Sequence, residues 1–333
     1  MLLGAGLGAL SIAPGEILRI LGSRFGGEGA VSLTNEEQVH EAVLLAIRLP
    51  RVCLAVLVGA SLAIAGAAMQ GLFRNPLADP GLIGISSGAS VSAVAFIVLS
   101  GRLLGGLSGV AGVYSLSVIT FLGALASAVI VYRLSQAGGK TIVTMMLLAG
   151  IGINAIALSG TGFFTYTATD SQLRSIAFWT LGSLGGANWT VVTGILPFTV
   201  LALILLPLMG KSLNAFALNE TNAAHLGVRT ERVKTTVILL SALCVGASVA
   251  VSGVIAFVGL IVPHIIRLIS GPDHRYLLPL SALGGAILLL VADLIARTAF
   301  GNTELPIGVL TSLIGGPFFL FLLLRERRFN IGM

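Results

Sequence analysis

The sequence predicts an all-α integral membrane protein, and three observations lead to this prediction. Of the 333 residues, 56% are apolar and only 10% are charged, whereas about a quarter of a soluble domain is charged. The apolar runs are continuous and about twenty residues long, unlike the alternating strands of about ten residues in a membrane β-barrel. The 43 glycines fit helices whose backbones approach closely within the bilayer.

Nine segments are apolar over the length that crosses a bilayer. They lie near residues 52–73, 82–101, 107–132, 141–166, 190–209, 235–252, 254–271, 278–300 and 307–324. The stretch Leu2–Ala13 is also apolar but is only about 18 Å long as a helix, too short to cross unaided. It resembles the remnant of a tenth span, and it lacks the basic leader of a signal peptide. We therefore expect residues 1–333 to form a single transmembrane domain.

The loops predict the orientation and two structured connections. Twelve of the 19 basic residues fall on one side if the C-terminus is cytoplasmic, which is the side that the positive-inside rule selects. The outer loop 14–51 mixes acidic and basic residues. The inner loop 211–234 has apolar residues at helical spacing and Gly227 as a possible C-cap, which favours a pair of short helices. An ordinary polar connector fits the same spacing equally well.

An internal repeat indicates a duplicated half. Val58–Gly66 recurs as Val245–Gly253 with six identities in nine residues, and a proline follows each final glycine after ten residues. Repeated halves are typical of transporter folds, where the substrate path often follows the interface between the repeats.

Few polar groups point to chemistry. Asp293 and Arg297 are four residues apart, so they form either a local ion pair or, through Arg297, an outward docking site together with Arg48. One such acid is too little for a proton-driven carrier. The four histidines share no metal-ligand spacing, so we expect no metal site. No nucleophile–base pair or nucleic-acid footprint is present, and Gly139-Lys140-Thr141 lacks the first glycine of a phosphate-binding loop.

The segment Gln70–Pro80 contains two prolines and a glycine, which predict a rigid, non-helical turn between two spans. As a plain connector it needs no function. As a constriction at the inner mouth it would place Asn75 and Leu77 across the path.

Several long motifs resemble one family, the FecCD and BtuC-like permease subunits of ABC importers for ferric siderophores, haem and vitamin B12. The resemblance runs from about residue 40 to residue 324 and is carried, in order, by Arg48–Arg51, Gly66–Gly84, Gly259–Arg267, Gly271–Arg275, Glu304–Gly308 and Gly315–Pro317. It implies a ten-helix type II importer fold in the bacterial inner membrane. It also implies a permease homodimer on two ABC ATPase subunits, supplied by a periplasmic binding protein. The chain itself is then no enzyme and holds no cofactor, because ATP and Mg belong to the ATPase.

The resemblance also implies roles for individual residues. Arg48 and Arg297 match the arginines that dock onto the binding protein, while Asn75, Leu77, Val143 and Thr144 match the cytoplasmic gate. Leu213 to Gly227 matches the coupling helices that contact the ATPase, with the following residues in the matching positions: Leu213, Asn219, Glu220, Ala223 and Gly227. The family often has Gly-Glu where this chain has Asn219-Glu220. The first helix is also shorter than the family pattern.

The resemblance implies an ATP-driven importer permease, and the stretch 66–90, which most resembles haem permeases, makes haem the preferred cargo. A ferric-siderophore or vitamin B12 importer is the alternative within the same family. A secondary carrier fits less well because Asp293 is the single candidate intramembrane acid, and an integral-membrane enzyme fits less well because no catalytic constellation is present.

Overall fold

The computed structural model describes residues 4, 6, 12–25, 34–103, 110–299 and 304–331. In this part of the chain the regular structure is helical apart from one two-stranded hairpin, which confirms the all-α prediction. In chain order the helices are α1 (Pro14–Phe25), α2 (Asn35–Val43), α3 (Leu49–Phe73), α4 (Ile85–Leu103), α5 (Val110–Leu134), α6 (Val143–Tyr166), α7 (Asp170–Leu181), α8 (Trp189–Leu208), α9 (Gly210–Leu218), α10 (Glu220–His225), α11 (Thr230–Ser252), α12 (Val258–Ser270), α13 (His274–Thr298) and α14 (Ile307–Ile331). The hairpin strands are β1 (Gln136–Ala137) and β2 (Lys140–Thr141).

Every one of the nine predicted spans contains a helix. Six helices in the described ranges are long and apolar enough to cross a membrane, and three shorter apolar ones lie in α4, α12 and α14. A π-helical turn, Leu44–Arg48, joins α2 to α3 in one continuous helix that runs from Asn35 to Phe73. The prediction for Leu2–Ala13 falls almost entirely outside the described residues.

Three features differ from the sequence prediction. The span expected at 254–271 starts only at Val258, because the chain from Gly253 to Phe257 is unwound, with left-handed φ angles of 69° at Gly253 and 68° at Phe257. Helices α1 and α2 occupy the outer loop, and α7 follows the span that ends at Tyr166. These three helices carry charges that interrupt an apolar window, so a search for spans passes over them.

Successive spans run in opposite directions and therefore divide the loops between two faces. One face, called here the hairpin face, carries β1 and β2, α9 and α10, the turn after α3 and the start of α13. The other, called the arginine face, carries α7, the start of α3 and the end of α13. The predicted gate and coupling residues all fall on the hairpin face, and Arg48 and Arg297 fall on the arginine face.

Helix α3 is the centre of the molecule. Of its most apolar stretch 83% is buried, and it packs against α8, α11, α12 and α13. Two glycines allow the closest contacts: a Cβ on Gly59 would overlap the backbone of Gly285 in α13, and a Cβ on Gly66 would overlap that of Gly259 in α12. In lipid the hydrophobic effect does not drive helices together. Small residues at such crossings let the backbones come close enough for dispersion contacts to hold the helices instead.

The repeated segments lie in α3 and α11, which pack directly against each other in opposite directions. The thiol of Cys244 in α11 lies 3.7 Å from the carbonyl oxygen of Ser61 in α3. The equivalent glycines both face a neighbouring helix: Gly59 lies against the backbone of Gly285 in α13, whereas Gly246 lies against the Ala124 side chain in α5. The two copies of the repeat thus lie in antiparallel helices that contact each other at the centre of the molecule.

We expect Gly66→Ala to destabilise the protein by about 1–3 kcal/mol, because the added methyl group must push α3 away from α12. The measurement is thermal unfolding in detergent. Gly194→Ala in α8 is the matched control, since a Cβ there has nothing within 4 Å. Equal stability of the two variants would contradict the packing described here.

Candidate functional site

The turn after α3 has the rigid geometry that its prolines predict. Arg74 ends α3 in the left-handed region at φ 52°. The Asn75 side chain then accepts a hydrogen bond from the backbone N–H of Leu77 at 2.9 Å, and Asp79 accepts one from the N–H of Gly81 at 2.7 Å. Asn75 is exposed and Leu77 is half-buried. The turn is therefore held by its own side chains while Asn75 points to the surface of the single chain.

Helix α6 packs against this turn and carries the other two predicted gate residues. The amide nitrogen of Asn154 donates to the carbonyl of Gly81 at 3.3 Å, and Gly150 leaves space for the backbone at Leu82. Val143 packs partly into the core, and Thr144 is exposed. Only 17% of the most apolar stretch of α6 is buried. This helix therefore offers a largely uncovered apolar surface beside the turn.

The inner loop contains two short helices, α9 and α10, as the spacing indicated. Leu213 and Ala223 are fully buried, so these two predicted coupling residues hold the helices on the protein instead of forming its surface. Glu220 is partly exposed, and Asn219 and Gly227 are exposed. The large exposed apolar residues here are Leu218, the last residue of α9, and Leu226, which directly follows α10. Neither was predicted as a contact, because only three-dimensional packing shows which side chains face outward.

Asn219 lies between α9 and α10 with a φ of 137° and a ψ of 153°. Non-glycine residues rarely adopt this region because of the Cβ atom. The conformation gives a physical reason to expect glycine here, at the position where the sequence departs from the family pattern.

The base of α9 is fixed to the start of α13. The Asn214 amide donates to Asp273 at 2.7 Å, and its oxygen accepts the backbone N–H of His274 at 2.9 Å. Hydrogen bonds from Arg275, and then from Asn214, hold the pKa of the Asp273 carboxyl well below its usual range. Asp273 thus stays ionised and ties the short helices to a membrane span.

On the arginine face, a charge cluster joins three parts of the chain, with Arg51 and Asp293 buried and Glu304 at its exposed edge. Arg51 donates to Asp293 at 2.9 Å and makes a two-pronged contact with Glu304 at 2.8 and 3.0 Å. Asp293 also pairs with Arg297 at 3.1 Å. The hydrogen bonds from Arg51 lower the pKa of the Glu304 carboxyl. The predicted local pair Asp293–Arg297 is therefore present, and it belongs to a larger cluster.

Arg48 and Arg297 are not freely exposed. Arg48 is 5% exposed and donates to the carbonyl of Gly6 at 2.9 Å. Arg297 donates to the carbonyl of Gly4 at 2.8 Å. A docking role for these arginines thus requires that the backbone at Gly4 and Gly6 give way. No role was predicted for Arg51 or Glu304, although both lie in the motifs that carry the family resemblance, Arg48–Arg51 and Glu304–Gly308.

Comparison with known proteins identifies the family. The model of the FecCD transport family matches residues 1–325. The chain belongs to this family. It is 48% identical over 303 residues to the hemin transport system permease protein HmuU of Yersinia pestis, covering 90% of this chain and 87% of that protein. It is 41% identical over 290 residues to the cobalamin import system permease protein BtuC of Halobacterium salinarum, covering 87% and 75%.

A solved structure supports the fold assignment. A putative metal-chelate type ABC transporter in an inward-facing conformation matches with a TM-score of 0.78 and 32% identity, covering 93% of this chain and 98% of that one. As a FecCD family member, this chain therefore has the fold of an ABC importer permease and is an integral membrane protein.

We expect Arg51→Met to destabilise this FecCD family protein by about 3 kcal/mol, because it leaves the buried Asp293 with one partner fewer. Thermal unfolding in detergent measures the loss. Arg174→Met, at an exposed arginine of α7, is the control and should stay within about 0.5 kcal/mol of the wild type. A stable Arg51→Met protein would mean that the cluster contributes little to the fold.

We expect Asn219→Gly to increase the local stability of α10 by about 1 kcal/mol, because glycine adopts the φ of 137° without strain. Amide hydrogen exchange over residues 219–228 measures the change as slower exchange. Asn222→Gly, inside α10, is the matched control and should speed exchange, since glycine disfavours a helix interior. Faster exchange in both variants would show that Asn219 is not strained.

Proposed function

We propose that the chain is the membrane-spanning permease subunit of an ATP-driven importer that moves haem from the periplasm to the cytoplasm. Family membership and the 48% identity to a hemin permease support the class and the substrate. An ATPase subunit and a substrate-binding protein follow from the permease class. The cobalamin permease at 41% identity keeps vitamin B12 as the second candidate, and a ferric siderophore belongs with it.

The division of the molecule into two faces supports this assignment. The hairpin face presents exposed leucines at the C-terminal ends of α9 and α10, a surface suited to an ATPase. It also carries most of the basic loop residues, which favours a cytoplasmic position. The arginine face is then periplasmic, where Arg48 and Arg297 would meet acidic residues of a binding protein. The C-terminus is cytoplasmic in this orientation.

The path itself needs no strong binding groups. An importer that receives cargo from a binding protein must release it, and polar groups in the path would retain it. The exposed side of α6 is mainly apolar, with small residues such as Gly152 and Ser159 between the larger ones. We propose that two copies of the chain pair along such surfaces and enclose the path, with Asn75, Leu77, Val143 and Thr144 at its cytoplasmic end.

The test is uptake into proteoliposomes that contain the permease and its ATPase, with the binding protein outside. We expect haem to accumulate only with hydrolysable ATP, and cobalamin at the same concentration to accumulate at least about tenfold more slowly, a discrimination of about 1.4 kcal/mol. An ATPase variant that binds but does not hydrolyse ATP is the control. Uptake without hydrolysis would rule out a primary pump. If cobalamin accumulated faster than haem, cobalamin and not haem would be the substrate.

A further inference from the structure

Lys234 is a buried charge that the proposed function does not yet use. The chain has three lysines, of which Lys140 and Lys211 are exposed, whereas Lys234 is 2% exposed near the start of α11. A lysine is rarely buried unless it is paired, because removing its charge from water is costly. Its partners therefore show what its position achieves.

The ammonium group of Lys234 joins three separate elements. It donates to the carbonyl of Thr141 in the hairpin at 2.7 Å and to Glu231 in α11 at 2.9 Å. It also pairs with Glu220, the first residue of α10. Glu231 in turn accepts the backbone N–H of Thr141 at 2.9 Å. All three ammonium donors are thus used, and the strand β2 is held through both its N–H and its C=O.

The hairpin passes directly into the gate helix. The N–H of Ile142 bonds to Ser135 at 3.0 Å and closes the hairpin, while the carbonyl of Ile142 accepts the first helical bond of α6 from Met146 at 3.0 Å. Val143 and Thr144 follow at once. No flexible linker separates Lys234 from these two residues, so a displacement at Thr141 is passed to the start of α6.

The contact with Glu220 suggests that Lys234 does more than fix the hairpin in place; it links the hairpin to a helix that a partner could move. Glu231 and Thr141 already fix the hairpin on α11, and an anchor needs nothing more. Glu220 instead belongs to a short helix on the surface and is 39% exposed. Because the Lys234 ammonium also contacts Glu231, its contact with Glu220 can change when a partner displaces α10 without leaving the ammonium unpaired.

We propose that Lys234 is the joint that transmits movement of α9 and α10 to the gate at the start of α6. It acts as a positioning residue: it does not touch the cargo or ATP. The inference depends on the proposed function, because it assumes that an ATPase moves α10.

The experiment measures transport per ATP hydrolysed in proteoliposomes with the complete complex. We expect Lys234→Met to lower this ratio about tenfold, within the range of coupling that one residue carries. Lys140→Met, which removes an exposed lysine one residue from Thr141, is the matched control and should keep the wild-type ratio. An unchanged ratio for Lys234→Met, including a proportional loss of transport and hydrolysis, would overturn the proposal.

A second readout follows the gate directly. Cys53 and Cys244 are replaced by alanine and Thr144→Cys is introduced, so that a thiol reagent reports access to the gate. We expect the labelling rate to change when ATP is added to the complex with Lys234 present, and to lose this response in Lys234→Met. A response that persists in Lys234→Met would contradict the proposal.

A double variant and the wild-type complex serve as controls for folding and for transport. Lys234→Met with Glu231→Gln removes one uncompensated carboxylate and provides a variant that folds if the single one does not; the same loss of coupling is expected. If the wild-type complex itself shows no ATP-driven uptake, the proposed function fails. If the wild type transports and the variants remain coupled, only the role of Lys234 fails.

Discussion

The structure depends on the close approach of α3 to its neighbours. Gly59 and Gly66 bring the α3 backbone against Gly285 and Gly259, and a methyl group at either position would separate the helices. In lipid, where apolar side chains gain nothing by leaving solvent, this contact replaces the hydrophobic effect as the source of cohesion. It also holds both ends of α3 in place, and these ends bear Arg51 on one face and the Asn75 turn on the other.

Charges are few, and in both clusters they connect elements that are distant in sequence. Arg51 contacts Glu304 and Asp293, more than 240 residues away, while Lys234 joins α10, α11 and the hairpin. A buried ion contributes little net stability but specifies geometry, because breaking it leaves an uncompensated charge. The few charges that identify a membrane protein in the sequence therefore also mark the places where helices are held in a specific arrangement.

Much of the architecture could be predicted from the sequence, because a helix that crosses the bilayer must be apolar over about twenty residues. The spans, the rigid turn at Asn75 and the pair of short helices all follow from local patterns. The unwound chain at Gly253 does not, because the equivalent glycine of the repeat, Gly66, lies inside α3 and stays helical, so the repeated pattern alone does not distinguish the two backbones. Nor does the inward side of α9 and α10: Leu213 and Leu218 are both leucines, and only packing buries one and exposes the other.

The distribution of burial also determines which parts move at least cost. Helix α3 is 83% buried over its apolar stretch and α6 only 17%, so displacing α6 breaks far fewer contacts within the chain. Yet α6 is held at two specific points. Thr141, just before its start, is bonded to Lys234, and Asn154 within the helix donates to the carbonyl of Gly81. A helix that is loosely packed but firmly held at specific points can shift between discrete positions, which alternating access requires, while the α3 core stays intact.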